Sequence, residues 1–328
     1  MADIYKRKRL MVIFILTVSL ICCSLALSCK ESGGGEDLDD NASLSVHYLD
    51  VGGGDATLIK LPDNKVMLID TGEFSEQNFD KISRLLIKYG GKIDYFILSH
   101  PDIEHFGNAV TLINNFSIGK VFIPKILNET LYPKFGEVLE LLRQKGIETE
   151  ISKTYLSLSK EDFALIFLSP NFDGEDSSYF PFNSSLLPSD TLSDNVSPTI
   201  YLEYKSYRFL FTADAGAIEE KNILTQYKLG LYKNVTESGW SVNLDNIDFY
   251  KLSAHGNSKA NSYEFLSVLK PKNAIISVGG ANVNADPSTE VLIRLQEVNP
   301  DYNLFRTDRD KTVSVFIDKN GSCTIAKG

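Results

Sequence analysis

Residues 93–107 constrain the chain more than any other stretch. Residues 93–98 are mostly apolar and read as a strand buried on both faces. They run into Ser99-His100-Pro101-Asp102-Ile103-Glu104-His105-Phe106-Gly107, and a helix is expected from near His105 to Asn115. The chain has four His, and two of them fall within six residues here, with two carboxylates between them. A polar turn at the C-terminal end of a buried strand is where open α/β sheets place ligands. Imidazole and carboxylate together suit zinc, manganese or iron. The plain alternative is a solvated loop with chance histidine spacing.

The rest of the chain supplies the frame. Residues 44–49 alternate like a half-buried strand, 50–55 form a turn, 56–61 a second strand, 62–65 a hairpin turn and 66–69 a third strand. Phe79, Ile82, Leu85, Leu86 and Tyr89 then recur at helical spacing until Gly90-Gly91 stops them. Beyond residue 115, strands are expected at 121–123, near 151 and at 164–168, with a helix over 131–145. Residues 171–195 are rich in Ser, Asp, Asn and Pro and read as a long loop. Strands 199–204 and 207–212 flank a Lys205-Ser206 turn. After them come helix 217–229, strand 249–253, helix 262–269, strand 273–278, helix 288–298 and strands near 304 and at 313–317. Strands first, then alternating helix and strand, twice over, suit an α/β (α+β) four-layer αββα sandwich with two mixed β-sheets.

Several motifs occur in order along this frame. They are Leu49-Asp50-Val51-Gly52-Gly53-Gly54-Asp55-Ala56, Leu68-Ile69-Asp70-Thr71-Gly72, the His100–His105 stretch, Phe211-Thr212-Ala213-Asp214-Ala215 and Ser253-Ala254-His255-Gly256-Asn257. Together they resemble the metallo-β-lactamase superfamily, and within it the hydrolase domain of the competence protein ComEC and its stand-alone relatives. The likeness spans about residues 44–317.

The resemblance implies a metal-dependent hydrolase acting on phosphodiester or related ester bonds through a metal-bound hydroxide. His100 and Asp102 would hold one metal, Glu104 and His105 the other, and Asp214 would bridge them about 3.5–4 Å apart. Glu104 and His255 are the candidate catalytic residues. Asp70 and Asp55 are expected to hold turns or to orient ligand imidazoles.

The sequence also departs from the pattern. Glu104 stands for the usual Asp, Ala254 for the first His of a paired-His motif, and Asp286 for a His in a Gly-His-Pro triplet. Asp286 is therefore a further candidate ligand. The superfamily's middle His is missing, with Asn195 and Ser197 in that region. Zinc is the expected cofactor as one or two ions, with manganese or magnesium the alternatives for so carboxylate-rich a set. The same departures leave a catalytically degenerate binding lipoprotein as the competing reading.

Other features read as structural. His47 sits in the alternating strand. Gly52–Gly54 lacks the Lys-Ser/Thr of a phosphate loop, and Ser184-Ser185 has no neighbouring His. Lys251 and Arg306 read as packed or solvated sooner than as lining a phosphate site.

The N-terminus carries Lys6-Arg7-Lys8-Arg9, an apolar run over residues 10–27 and then Leu25-Ala26-Leu27-Ser28-Cys29. Residues 1–28 read as a signal peptide of lipoprotein type. A cleaved ordinary signal and a retained anchor are the alternatives. Residues 29–42 read as a flexible acidic tether, and 43–328 as the hydrolase-like domain. Export to the bacterial cell envelope and a membrane anchor through lipidated Cys29 follow. With Cys29 lipidated, Cys323 would lack a partner, so no disulfide is expected. Removing residues 1–28 takes away four basic residues and Asp3, which moves the net charge from −10 to −13. That balance disfavours nucleic acid as partner and leaves a small phosphodiester or ester as the expected substrate.

Overall fold

A computed structural model describes residues 29–32, 41–126, 131–171, 194–280 and 286–328. The expected signal segment, most of the expected tether and the Ser184-Ser185 pair lie outside these residues. Two mixed sheets form the centre. The larger runs in the order β1 (Lys30–Ser32), β15 (Cys323–Lys327), β14 (Val313–Asp318), β2 (Ala42–Tyr48), β3 (Thr57–Lys60), β4 (Val66–Ile69), β5 (Lys92–Ile97), β6 (Ser117–Ile123) and β7 (Glu148–Ile151). The smaller runs β13 (Asn303–Arg306), β12 (Asn273–Ile276), β11 (Phe249–Lys251), β10 (Tyr207–Phe211), β9 (Ile200–Tyr204) and β8 (Phe163–Phe167). Strands β4 to β7 pair in parallel, as do β10 to β13, while β14–β2–β3–β4 and β8–β9–β10 are antiparallel.

Alternation along the strands builds three apolar layers. Val46, Tyr48, Met67 and Ile97 of the larger sheet pack against Phe163, Leu165, Phe209 and Phe249 of the smaller. The opposite face of the larger sheet, with Leu58, Leu68 and Phe96, is covered by Ile82 and Leu86 of α1 (Glu76–Lys88), Leu112 of α3 (Ala109–Asn115) and Val138 and Leu142 of α4 (Pro133–Gln144). Ala164, Ile166 and Leu210 on the outside of the smaller sheet meet α5 (Ala217–Lys228), α6 (Tyr263–Leu269) and α7 (Thr289–Val298). Because Leu165 faces inward and Ile166 outward, β8 is apolar on both sides. Burying one such side chain stabilises by about 1.5–3 kcal/mol, so the four layers are held by interdigitation on three surfaces. This is the four-layer sandwich expected from the order of elements.

Three local expectations are corrected. The helix expected from His105 to Asn115 is two short helices, α2 (Ile103–Phe106) and α3, broken at Gly107-Asn108. Gly107 lies so close to the chain at Gly72–Phe74 that a Cβ there would sit 2.2 Å from the Phe74 nitrogen. The turn must therefore stay side-chain-free at Gly107, and the helix breaks at Asn108, whose side-chain amide donates to the Thr71 and Glu73 carbonyls. The absence of a disulfide is also overturned: Cys29 is bonded to Cys323, with Cα atoms 4.5 Å apart. In consequence Lys30–Ser32 is not free tether but an edge strand, parallel to β15. Strand β15 itself escaped the sequence reading; Asp318 builds its turn by accepting from the backbone of Asn320 and Ser322.

The structural readings of isolated residues match the packing. His47 lies between Ser314 Oγ (2.8 Å) and Tyr89 Oη (2.6 Å). Arg306 donates to both oxygens of Asp308.

Candidate metal centre

The site collects at the C-terminal ends of β4, β5 and β10 and at the turn after β11. Asp70 follows β4 with φ +59°, a conformation that turns its carboxylate under the His100–His105 stretch. That carboxylate is fully buried. Its Oδ1 accepts from the Ser99 nitrogen (2.9 Å), and its Oδ2 accepts from Ser99 Oγ (2.6 Å) and from His105 Nδ1 (2.9 Å). A carboxylate only accepts, so Nδ1 of His105 is the donor and Nε2 is left as the ligating atom. With its proton given to Asp70, Ser99 Oγ accepts from His100 Nδ1 at 3.0 Å, so Nε2 of His100 is freed in the same way. One aspartate thus orients both imidazoles.

His255 is fixed from the other sheet. It sits in a 3-10 turn (Ser253–Gly256) where Ala254 and His255 both hold positive φ, +45° and +55°. Two consecutive non-glycine residues there are costly, of order 1–3 kcal/mol each, and such strain gathers at functional sites. Nδ1 of His255 donates to the Ser277 carbonyl at 2.9 Å. Behind it, Lys251 and Asp55 form a buried ion pair that ties the smaller sheet to the first glycine turn, and Asp55 Oδ1 stands 3.7 Å from His255 Nδ1. Gly54 of that turn lies against the Glu104 carbonyl, where a Cβ would sit 1.8 Å away.

The free faces of these side chains converge. His105 Nε2 is 3.5 Å from Asp214 Oδ1, while His255 Nε2 is 3.6 Å from Asp214 Oδ2 and 3.5 Å from Glu104 Oε1. His100 Nε2 is 3.6 Å from Asp102 Oδ2. These are too long for hydrogen bonds. They equal the spacing of two atoms each about 2.0–2.2 Å from one tetrahedral ion. Nε2 of His100, His105 and His255 and Oδ1 of Asp214 are buried without a hydrogen-bond partner, an arrangement that costs free energy unless something else satisfies it. A divalent cation fits this set.

Two groups of ligand atoms fall within 4.8 Å of one another: Glu104, His105, Asp214 and His255 in one, and His100, Asp102 and Asp194 in the other. The expected ligands His100, Asp102, Glu104, His105 and Asp214 are all brought in, and so is His255. Asp214 lies in one group only and is not seen to bridge. Asp286 is in neither group. It accepts from Asn257 Nδ2 at 3.3 Å and faces the rim, where burial raises its pKa. Asp194 escaped the sequence reading because it ends a loop with no periodicity. The only signal was an acid just before the Asn195-Val196-Ser197 triplet, and Ser197 Oγ in turn reaches His100 Nδ1 at 3.3 Å.

Charge within the cluster is balanced sharply. Burial opposes a proton on His105 and on His255, yet Asp214 with Asp70, Glu104 and Asp55 outweighs it and lifts both to about 9. Burial would raise Asp214, but His105, His255 and His100 hold it well below the usual carboxylate range. The neighbouring His100 imidazole lowers Asp102. At neutral pH an entering metal therefore displaces protons from the imidazoles.

The Metallo-beta-lactamase superfamily profile matches residues 49–280, and the chain belongs to that superfamily. ComE operon protein 3 of Bacillus subtilis (strain 168) is 25% identical over 315 residues, which cover 89% of this chain and 35% of that protein. The chain thus spans about a third of that relative's length. Among solved structures, the CmlA beta-hydroxylase E377D mutant superposes with a TM-score of 0.50 at 13% identity, over 84% of this chain and 54% of that one. Igni18, a novel metallo hydrolase from the archaeon Ignicoccus hospitalis, gives 0.47 at 13% identity, over 82% and 98%. These likenesses concern the fold. Its site, with buried imidazoles and carboxylates converging, makes divalent-metal binding the chemistry of the chain.

Proposed function

We propose that the chain is a metal-dependent hydrolase of phosphodiester or related ester bonds. The observation that carries this is the convergence of four buried, unpartnered donor atoms, on His100, His105, His255 and Asp214, at one mouth between the sheets. A divalent cation held there supplies Lewis-acid polarisation of the scissile ester and a water of lowered pKa. The residues do the rest. Asp70 and the Ser277 carbonyl hold the imidazoles in one tautomer, and the Asp55–Lys251 pair backs His255. Glu104, the most open carboxylate of its group at 38% side-chain exposure, is the one an incoming substrate meets first. The competing reading is a degenerate binding protein, which the missing imidazole at Ala254 and the place of Asp286 outside both groups would suit.

The test is elemental analysis of the full chain together with hydrolysis of bis-p-nitrophenyl phosphate. Bound zinc or manganese with turnover abolished by a chelator supports the reading. Bound metal with no turnover on phosphodiester or ester probes sinks the hydrolase and leaves the binding protein.

For location, we propose export to the cell envelope. The Cys29–Cys323 bond suits an oxidising compartment, and the basic and apolar leader suits translocation. The sulfur of Cys29 carries either that bond or a lipid thioether, never both. Among the described residues no helix is long and apolar enough to cross a membrane.

A further inference from the structure

We infer that Asp194 completes a separate cation position with His100 and Asp102, and that this position selects a hard cation such as manganese or magnesium. The inference rests on the metal-dependent reading above and deepens it. The family resemblance assigns no ligand to residue 194.

The two donor sets differ in number and kind. Glu104, His105, Asp214 and His255 offer two imidazoles and two carboxylates. Four protein donors of that kind complete a tetrahedral zinc shell, and closed shells of that sort leave no room for a reactant. His100, Asp102 and Asp194 offer one imidazole and two carboxylates. Oxygen-rich sets with few protein donors suit manganese and magnesium, which favour six ligands and keep several waters.

Burial does not separate the two sets: Glu104 and Asp102 expose 38% and 39% of their side chains, each beside a fully buried histidine, His105 and His100. His100 Nε2 is buried and unpartnered, 3.6 Å from Asp102 Oδ2, and the ligand atoms of all three residues lie within 4.8 Å of one another, so this is more than a cluster of surface acids. Support behind the imidazoles differs. His105 is braced directly by a carboxylate and His255 by a carbonyl, while His100 rests on the hydroxyls of Ser99 and Ser197. A neutral hydroxyl raises the basicity of a ligand less than a carboxylate does, so the Asp194 position binds more weakly and exchanges its ion more readily.

The test strips the full chain of metal and dialyses it against zinc, manganese or both. Retained ions are then counted by elemental analysis, and free manganese is followed by electron paramagnetic resonance. The expected wild-type result is about one retained zinc and about one exchangeable manganese per chain. Asp194→Asn should weaken manganese at least roughly tenfold and leave zinc content unchanged, and Asp194→His should convert the second position to zinc. Asp286→Asn, at a rim carboxylate outside both groups, should change neither. Manganese affinity unmoved by Asp194→Asn overturns the inference, as does a wild type that retains two zincs equally. If wild type holds no ion at all, the metal-dependent reading falls with it. If the ions divide as stated but no probe is hydrolysed, only the hydrolase fails.

Discussion

Asp70 Oδ2 accepts a hydrogen bond from His105 Nδ1 at 2.9 Å, and through Ser99 Oγ the same oxygen also sets His100. A single buried carboxylate thus fixes an imidazole in each of the two ligand groups. Asp70→Asn should lower metal affinity at both positions by roughly 10–100-fold without touching a ligand. Competition against a chromogenic chelator reads this directly; an effect confined to one position would mean that Ser99 does not transmit it.

Asp214→Ala removes the carboxylate that faces both His105 and His255. Zinc should be lost from that group while the far-ultraviolet circular dichroism stays native, since Asp214 contributes nothing to the apolar layers. Unchanged zinc content would remove Asp214 from the ligand set.

Lys251 and Asp55 neutralise each other in a fully enclosed position. Asp55→Asn leaves a buried ammonium without its partner, and breaking such a pair from one side costs about 3–5 kcal/mol. The double variant Asp55→Asn/Lys251→Met should recover part of that loss, because no charge then remains buried. Thermal unfolding of the three variants checks it; strict additivity would show that the two side chains do not interact.

Glu219 gives stability a pH dependence away from the metal centre. Burial raises its pKa to about 7, against the donor Asn222 at 3.2 Å, and its Oε2 has no partner among the described residues. The native state therefore holds a proton that the unfolded chain releases near 4.5. The stabilising contribution is complete below that value and is lost as pH rises through 7, by at most about 3 kcal/mol. Melting temperature should fall between pH 5 and 8 in wild type and fall less in Glu219→Gln.

Cys323→Ser should destabilise the chain by about 2–4 kcal/mol, because the bond restricts the unfolded ensemble over a long loop. Intact mass under non-reducing conditions should show the wild type two hydrogens lighter than its reduced form. A lipid-sized mass on Cys29 instead would make the anchor, not the bond, its fate.

Most of the sandwich was legible because strand and helix periodicities are local. The alternation over residues 44–49, the apolar run before Ser99 and the helical spacing around Ile82 each report which face is covered. Five of the six expected ligands fall in the two groups because the turn and short helix after β5 and the turn after β10 lie at one edge of the sheets. What stayed hidden depends on partners remote in sequence. Asp194 meets His100 and Asp102 only in the folded chain, where Ser197 Oγ also reaches His100 Nδ1, and nothing in the sequence around it says so. Cys29 and Cys323 are 294 residues apart, and β15 is a strand because β14 and β1 flank it. Asp286, whose place in the order of motifs matched a ligand, joins neither group and accepts from Asn257 instead.

The bond between Cys29 and Cys323 makes the described body a covalent ring in all but name. A single backbone cut anywhere between those two residues leaves the pieces attached, so a nick between the strands of one sheet need not release either sheet. A nicked chain would keep its layers packed and its ligand groups together until a second cut or a reductant arrived.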